Sequence, residues 1–175
     1  MSNLTRQPDP GECRTDPPVL QIRRVPYTDP DVVALVEEVQ AEYVARYGGR
    51  DGTPIDPAMF DPPAGAFFVG RLDDVPVAMG GWRLRPDVTR LGGAPSAEIK
   101  RMYVAPSGRR RGLARLVLDR LERTAAEAGA AVMVLETGIA QPEAIALYEA
   151  SGYRPVEKFG HYAWSPKSRC YGKRL

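Results

Sequence analysis

The feature that most constrains the fold of this chain is a strand, an arginine-rich turn and a helix in unbroken succession between residues 97 and 129. Residues 97–104 read as a strand. The segment that follows places Pro106, Gly108 and Gly112 around Arg109, Arg110 and Arg111. Leu113, Leu116, Val117, Leu121 and Ala128 then mark an amphipathic helix that stops at Gly129. A buried strand over 131–136 comes directly after. Strands that alternate with helices point to a mixed α/β domain.

Local signals supply the remaining order. Residues 20–25 suit a short strand. Asp29, Pro30 and Asp31 give an N-cap, a proline at the first helical position and an acid in the first turn. Val32, Val36, Val39, Tyr43 and Tyr47 follow at helical spacing, and Gly48-Gly49 ends that helix. Residues 50–65 read as a loop rich in proline and glycine. Strands over 66–72 and 75–84 meet in a hairpin at Asp73-Asp74, and Gly80-Gly81 predicts a bulge or a close backbone approach. A helix over about 142–150 ends at Gly152, and 153–156 and 168–173 are terminal strands. The order β-α-β-β-β-α-β-α-β-β makes residues 20–175 one domain: a mixed central sheet of about six to seven strands, flanked by helices. Residues 1–19 carry Pro8, Pro10, Gly11, Pro17 and Pro18 among charges, and are expected to be a disordered tail.

Composition excludes several classes. A chain of 175 residues can bury a core without a staple. Cys13 and Cys170 lie too far apart for a metal-ligand cluster by spacing, and the single histidine, His161, excludes a multi-histidine site and weakens a Ser-His-Asp reading. No metal and a reduced, cytoplasmic protein are the expectation. No apolar run approaches the ~20 residues of a membrane-spanning helix, and the opening segment lacks the apolar stretch of a secretory signal. Neither a membrane nor a nucleic-acid partner is expected.

Net charge is only +2, yet the window 100–123 carries +6 and the rest of the chain −4. A basic block on a nearly neutral chain suits a compact anion better than a long polyanion. Where a strand meets a helix, the first helical N–H groups are unpaired and the dipole end is positive. Gly112 and Ala114 keep side chains out of the way there, and three arginines add charge-assisted bonds to phosphate. The P-loop pattern and the dinucleotide glycine pattern are both absent.

In that setting Arg109-Arg110-Arg111-Gly112-Leu113-Ala114 resembles the acyl-CoA motif of the GNAT N-acetyltransferases, Q/R-x-x-G-x-G/A. The preceding Glu98-Ile99-Lys100-Arg101-Met102-Tyr103-Val104 resembles that family's fourth strand. Residues 141–153, from Gln141 through Leu147-Tyr148 to Gly152-Tyr153, resemble its closing segment, with Gln141 where the best-known version has Asn. The resemblance spans roughly residues 20–175. It implies acetyl-CoA as co-substrate, bound where the sheet splays between the fourth and fifth strands. The backbone of Met102, Tyr103 and Val104 would pair with the pantetheine arm. The pyrophosphate would sit on the N–H groups of Arg109, Arg110, Arg111, Gly112, Leu113, Ala114 and Arg115, with Gln141 on the CoA side.

Transfer of an acetyl group to an amine needs a neutral amine, a donor to the carbonyl oxygen and help for the departing thiolate. The resemblance assigns the last to Tyr148, near the CoA sulfur, and suggests Glu98 as base, directly or through water. Glu98 has an equally weighted alternative, a salt bridge with Lys100 or Arg101. The carbonyl oxygen would be served by a strand-four N–H near Met102. His161, Tyr162 and Trp164 fall in a loop that either packs over the core or lines an acceptor pocket. The acceptor is expected to be a small-molecule or peptide amine, and a homodimer is possible. A non-catalytic acyl-CoA-binding domain and a nucleic-acid binder are the competing readings.

Overall fold

The computed structural model describes residues 19–175; the expected tail and Cys13 lie outside this range, apart from Val19. Its elements are β1 (Gln21–Val25), α1 (Pro30–Tyr47), β2 (Gly65–Leu72), β3 (Val75–Arg85), β4 (Ser96–Val104), α2 (Leu113–Glu127), β5 (Val132–Gly138), α3 (Pro142–Ala150), β6 (Arg154–Pro155) and β7 (Ser168–Arg174). All seven strands form one sheet in the order β1-β2-β3-β4-β5-β7-β6. Only β4 and β5 run parallel; every other pairing is antiparallel.

Helix α1 begins where Asp29 accepts from the Asp31 N–H and ends where Gly48 turns left-handed at φ +81°. Its buried face, Val32, Leu35 and Val39, packs on Phe67, Val69, Met79 and Tyr103 of the sheet. On the opposite face Val117, Leu118, Leu121 and Ala125 of α2, with Tyr148 of α3, cover Ala66, Phe68, Ala78, Trp82, Ala97 and Ile99. Alternation along β2 sends Ala66 and Phe68 one way and Phe67 and Val69 the other. The two faces are thereby both dry.

Several expectations change in detail. Leu116 is exposed, and so is Ala128; the face of α2 runs through Leu118 and Ala125 instead. The loop 50–65 holds a 3-10 turn over Pro57–Phe60, capped by Asp56 and buried at Phe60. The hairpin at Asp73-Asp74 forms with both residues at positive φ. Both alternatives for Gly80-Gly81 occur, one at each residue. A Cβ on Gly81 would collide with the Phe67 ring. Opposite Gly80 there is a bulge, and its extra residue belongs to β4.

Candidate functional site

Strands β4 and β5 pair only through Ser96, Ala97 and Glu98 against Val132, Met133 and Val134. Beyond that point β5 stays with β7 as far as Gly138, while β4 stays with β3 as far as Val104. A wedge opens between them. The bulge shapes its β4 wall: Lys100 faces Gly81 and Tyr103 faces Met79, leaving Arg101 and Met102 both opposite Gly80. Arg101 takes φ +56°. One extra residue reverses the side-chain alternation, so Ala97 and Ile99 point to the α2 face, and past the bulge Met102 and Val104 take it over.

A small cavity lies in the wedge, lined by Ile99, Met102, Leu135, Thr137, Gln141 and Tyr148. Helix α3 delivers Tyr148 there, buried and set edge-on to Tyr153 at 5.6 Å. Its hydroxyl donates to Met102 Sδ at 3.7 Å, and a thioether is a weak acceptor. Burial raises the phenol above its ordinary value, so the proton stays on oxygen. Gln141 leaves its helix uncapped and donates instead to the Tyr47 hydroxyl at 3.3 Å.

At one end of the wedge is the arginine turn. Arg109, Arg110, Arg111 and Gly112 are all exposed, with Arg110 at φ +59° and Gly112 at φ +74° immediately before α2. A Cβ on Gly112 would meet nothing; the position needs glycine for its backbone conformation, not for room. The N–H groups expected to hold a pyrophosphate are available only in the middle of the run. The Arg109 N–H goes to Pro106 and the Arg115 N–H to Gly112, whereas those of Arg110 through Ala114 have no assigned acceptor among the described residues. Arg109 itself is engaged: Nε donates to the Val104 carbonyl at 3.0 Å, and the guanidinium pairs with Glu42 of α1. Arg115 holds Asp119 and the Ser151 hydroxyl. Arg110 and Arg111 make no ion pair among the described residues.

At the other end is a cavity of about 320 Å³ between α1, the 50–55 loop, the strands and the 162–168 loop. Tyr43, Tyr47, Tyr162 and Trp164 give it aromatic walls. The hydroxyl of Tyr47 rests against Gly138, where any Cβ would displace it. Tyr162 accepts the Gly52 N–H at 2.8 Å, tying the two loops together. His161 stacks edge-on with Tyr162 and is not part of the wall. Among the wall's cations, Arg101 pairs with Asp51 at 2.9 Å and Arg50 with Glu37 at 2.7 Å. Burial works against the Asp51 charge, but Thr53 and Arg101 outweigh it and keep that carboxyl below its ordinary value.

Two carboxylates sit on this face of the sheet in contrasting settings. Glu98 is fully buried and absent from the cavity wall; Oε2 receives Arg83 at 2.8 Å and Arg85 at 2.7 Å, and Lys100 lies 2.7 Å from Oε1. Burial alone would raise it, yet Lys100, Arg83 and Arg85 hold it below the ordinary value. The salt bridge anticipated with Lys100 is present; Arg101 goes to Asp51 instead. Glu136 of β5 lines both cavities and accepts the Ser168 hydroxyl at 2.7 Å. There burial prevails and raises the carboxyl. Sequence reading passed over Glu136 as the end of a buried strand. A signal existed: Val132 and Val134 are buried on one face, and alternation carries Glu136 onto that face.

Cys170 is buried, its thiol 3.6 Å from the Phe159 carbonyl. Among the described residues no group of three acids, histidines or cysteines could hold a metal, and no helix is long and apolar enough to cross a membrane.

Residues 32–153 match the model of the acetyltransferase (GNAT) family. An IAA acetyltransferase from Azospirillum brasilense is 32% identical over 159 residues, covering 91% of this chain and 99% of the relative. A solved structure assigned as an acyl-CoA N-acyltransferase from Klebsiella pneumoniae superposes with a TM-score of 0.74 at 27% identity, over 89% of this chain and 97% of that one. The fold is shared with yncA of Salmonella typhimurium, solved with its cofactor acetyl-CoA. There the TM-score is 0.64 at 18% identity, over 89% of this chain and 94% of the other.

Proposed function

Because the chain belongs to the acetyltransferase (GNAT) family, and is an acyltransferase by that membership, we propose that it transfers an acetyl group from acetyl-CoA directly to a primary amine, with both substrates held at once. Enzymes of this family use acetyl-CoA, and the residues of this chain suit it. The observation that carries the reading is the wedge: a sheet opened after three paired residues, with anion donors at one end, a buried phenol within and an aromatic cavity beyond.

The free N–H groups from Arg110 to Ala114, with the Arg110 and Arg111 guanidinium groups, would take the pyrophosphate. Met102, Tyr103 and Val104 lie on β4 past its last pairing with β5, so their backbone is available on that side to a strand-like pantetheine. The Val104 carbonyl is the exception while Arg109 occupies it. Bound acetyl-CoA supplies an activated acyl carbon and a thiolate leaving group.

Tyr148 would donate its hydroxyl hydrogen to the sulfur as negative charge gathers there. Phenol and thiol reference values of ~10 and ~8.5 make complete proton transfer uphill by about 2 kcal/mol, so the hydrogen bond matters more than protonation. Glu98 is proposed to act on Lys100 at the cavity wall, fixing its position, because a carboxylate bound by three cations accepts a proton poorly. Titration calorimetry with acetyl-CoA, together with thiol release on adding amines, tests the whole reading. No binding at millimolar acetyl-CoA would overturn it.

A further inference from the structure

Resting on the acetyl-transfer reading, we infer that Glu136 is the carboxylate that receives the acceptor's ammonium and removes its proton, and that the acceptor is a small monocationic amine with a flat apolar body. The large cavity and the small one in the wedge share Glu136, so this carboxylate stands where an amine in the first would approach an acyl group beside Tyr148.

Charge pairing selects the same residue. Arg50, Lys100 and Arg101 of the cavity wall are each bound to an acid, Asp51 is bound to Arg101, and Lys167, exposed at the wall, has no acid partner among the described residues. Glu136 forms no ion pair among the described residues; the Ser168 hydroxyl donates to it at 2.7 Å. The groups facing it are Glu98 and Lys100 from β4, Ser168 and Cys170 from β7, and the Tyr162 backbone. Burial and Glu98 favour its protonated form, while Ser168, Lys100 and the Tyr162 backbone oppose them. A carboxyl raised in this way is a stronger base than an ordinary one, nearer the neutral pH at which it must take a proton.

The walls define the rest of the acceptor. Tyr43, Tyr47, Tyr162 and Trp164 offer ring surfaces rather than a second anionic subsite. Aromatic faces attract both flat apolar groups and cations. A polyamine would leave its further charges without partners, a cost that disfavours it. In the reaction the ammonium gives one proton to Glu136, the neutral nitrogen bonds to the acyl carbon as the C–S bond breaks, and the thiolate leaves against the Tyr148 hydroxyl. The amide nitrogen then loses its second proton to solvent, and Glu136 returns its own proton to solvent.

The test uses the full chain, acetyl-CoA and three probes: phenethylamine, spermidine and phenylalanine. Phenethylamine is expected to give at least tenfold higher kcat/KM than either other amine, with an acid limb in its pH profile. Glu136→Gln should lower kcat/KM for phenethylamine about 10²-fold or more and abolish that limb, while acetyl-CoA still binds. Failure of the wild-type chain to bind acetyl-CoA would sink the transferase reading itself. Binding without phenethylamine turnover, or with spermidine or phenylalanine preferred, would overturn the acceptor assignment alone. An unchanged acid limb in Glu136→Gln would overturn its role as base. The probe ranking needs no variant, so a misfolded Glu136→Gln would still leave the acceptor assignment open to refutation.

Discussion

Replacing Tyr148 by Phe separates catalysis from packing, because the two consequences differ greatly in size. The hydroxyl is buried and its one assigned acceptor is the Met102 thioether at 3.7 Å. Losing it leaves no strong acceptor unpaired, so the stability change should stay within about 0.5 kcal/mol, well below the 1–3 kcal/mol of an orphaned polar group. The ring stays against Tyr153. Toward a thiolate in the same dry wedge, the hydroxyl is proposed to form a charge-assisted bond that exists only as the C–S bond breaks, so its loss should fall on kcat and not on acetyl-CoA affinity. The expected drop is about 10²-fold, the low end for such groups, since phenol and thiol are poorly matched for full transfer. That corresponds to about 2.7 kcal/mol of barrier. Single-turnover rates between pH 6 and 9 should fall by a constant factor, because burial keeps the phenol protonated throughout. An unaltered single-turnover rate would refute the role, and a matching loss of thermal stability would show that the hydroxyl serves the core.

Gly112→Val places a β-branched residue at φ +74° with nothing near its Cβ; we expect about 1–2 kcal/mol of lost stability and acetyl-CoA Kd raised at least tenfold by calorimetry. Replacing Arg110 and Arg111 together by Ala should weaken acetyl-CoA about tenfold at low salt and less at 0.5 M, since exposed charges are screened. Glu98→Gln should cost about 3 kcal/mol at pH 7 by leaving three cations undercompensated. Its native carboxyl is depressed, so the contribution is present above the unfolded value near ~4.3 and disappears as pH falls through the folded one; denaturant melts of both proteins from pH 7 to 3 should converge. Gly138→Ala should push Tyr47 off the cavity wall, raising the amine KM several-fold while acetyl-CoA Kd stays put.

The fold was legible where one short segment carries its own cause. Asp29-Pro30 starts α1 and Gly48 ends it within a residue of expectation, because capping and left-handed turns are local. The bulge was legible only by half. Gly80-Gly81 signals that the sheet is unusual there, but which strand holds the extra residue depends on a partner some twenty residues away. The site divides in the same manner. The arginine turn and Tyr148 lie in contiguous motifs. The cavity does not, since Asp51 meets Arg101 and Gly52 meets Tyr162 only after the sheet has formed. The two glutamates differ for the same reason: Glu98 is near its cations in sequence or across one hairpin, whereas the isolation of Glu136 is a property of its surroundings.

Those surroundings also recast the basic block. Eight cations between residues 100 and 123 look in sequence like one positive surface. Folding takes four of them out of that account: Lys100 goes to Glu98, Arg101 to Asp51, Arg109 to Glu42 and Arg115 to Asp119. Of the four that remain unpaired among the described residues, Arg120 and Arg123 lie further along α2, and Arg110 and Arg111 are exposed beside the free N–H groups that precede it. Pairing those four leaves Arg110 and Arg111 as the unpaired cations of the turn, where field and hydrogen-bond donors coincide on a compact anion. It also leaves Glu136 as the unpaired carboxylate of the opposite end. On the proposed reading, a phosphate-bearing substrate and an ammonium-bearing one would be drawn to different ends of the same opening. The short β4–β5 ladder sets that opening, and Tyr148 stands between its ends.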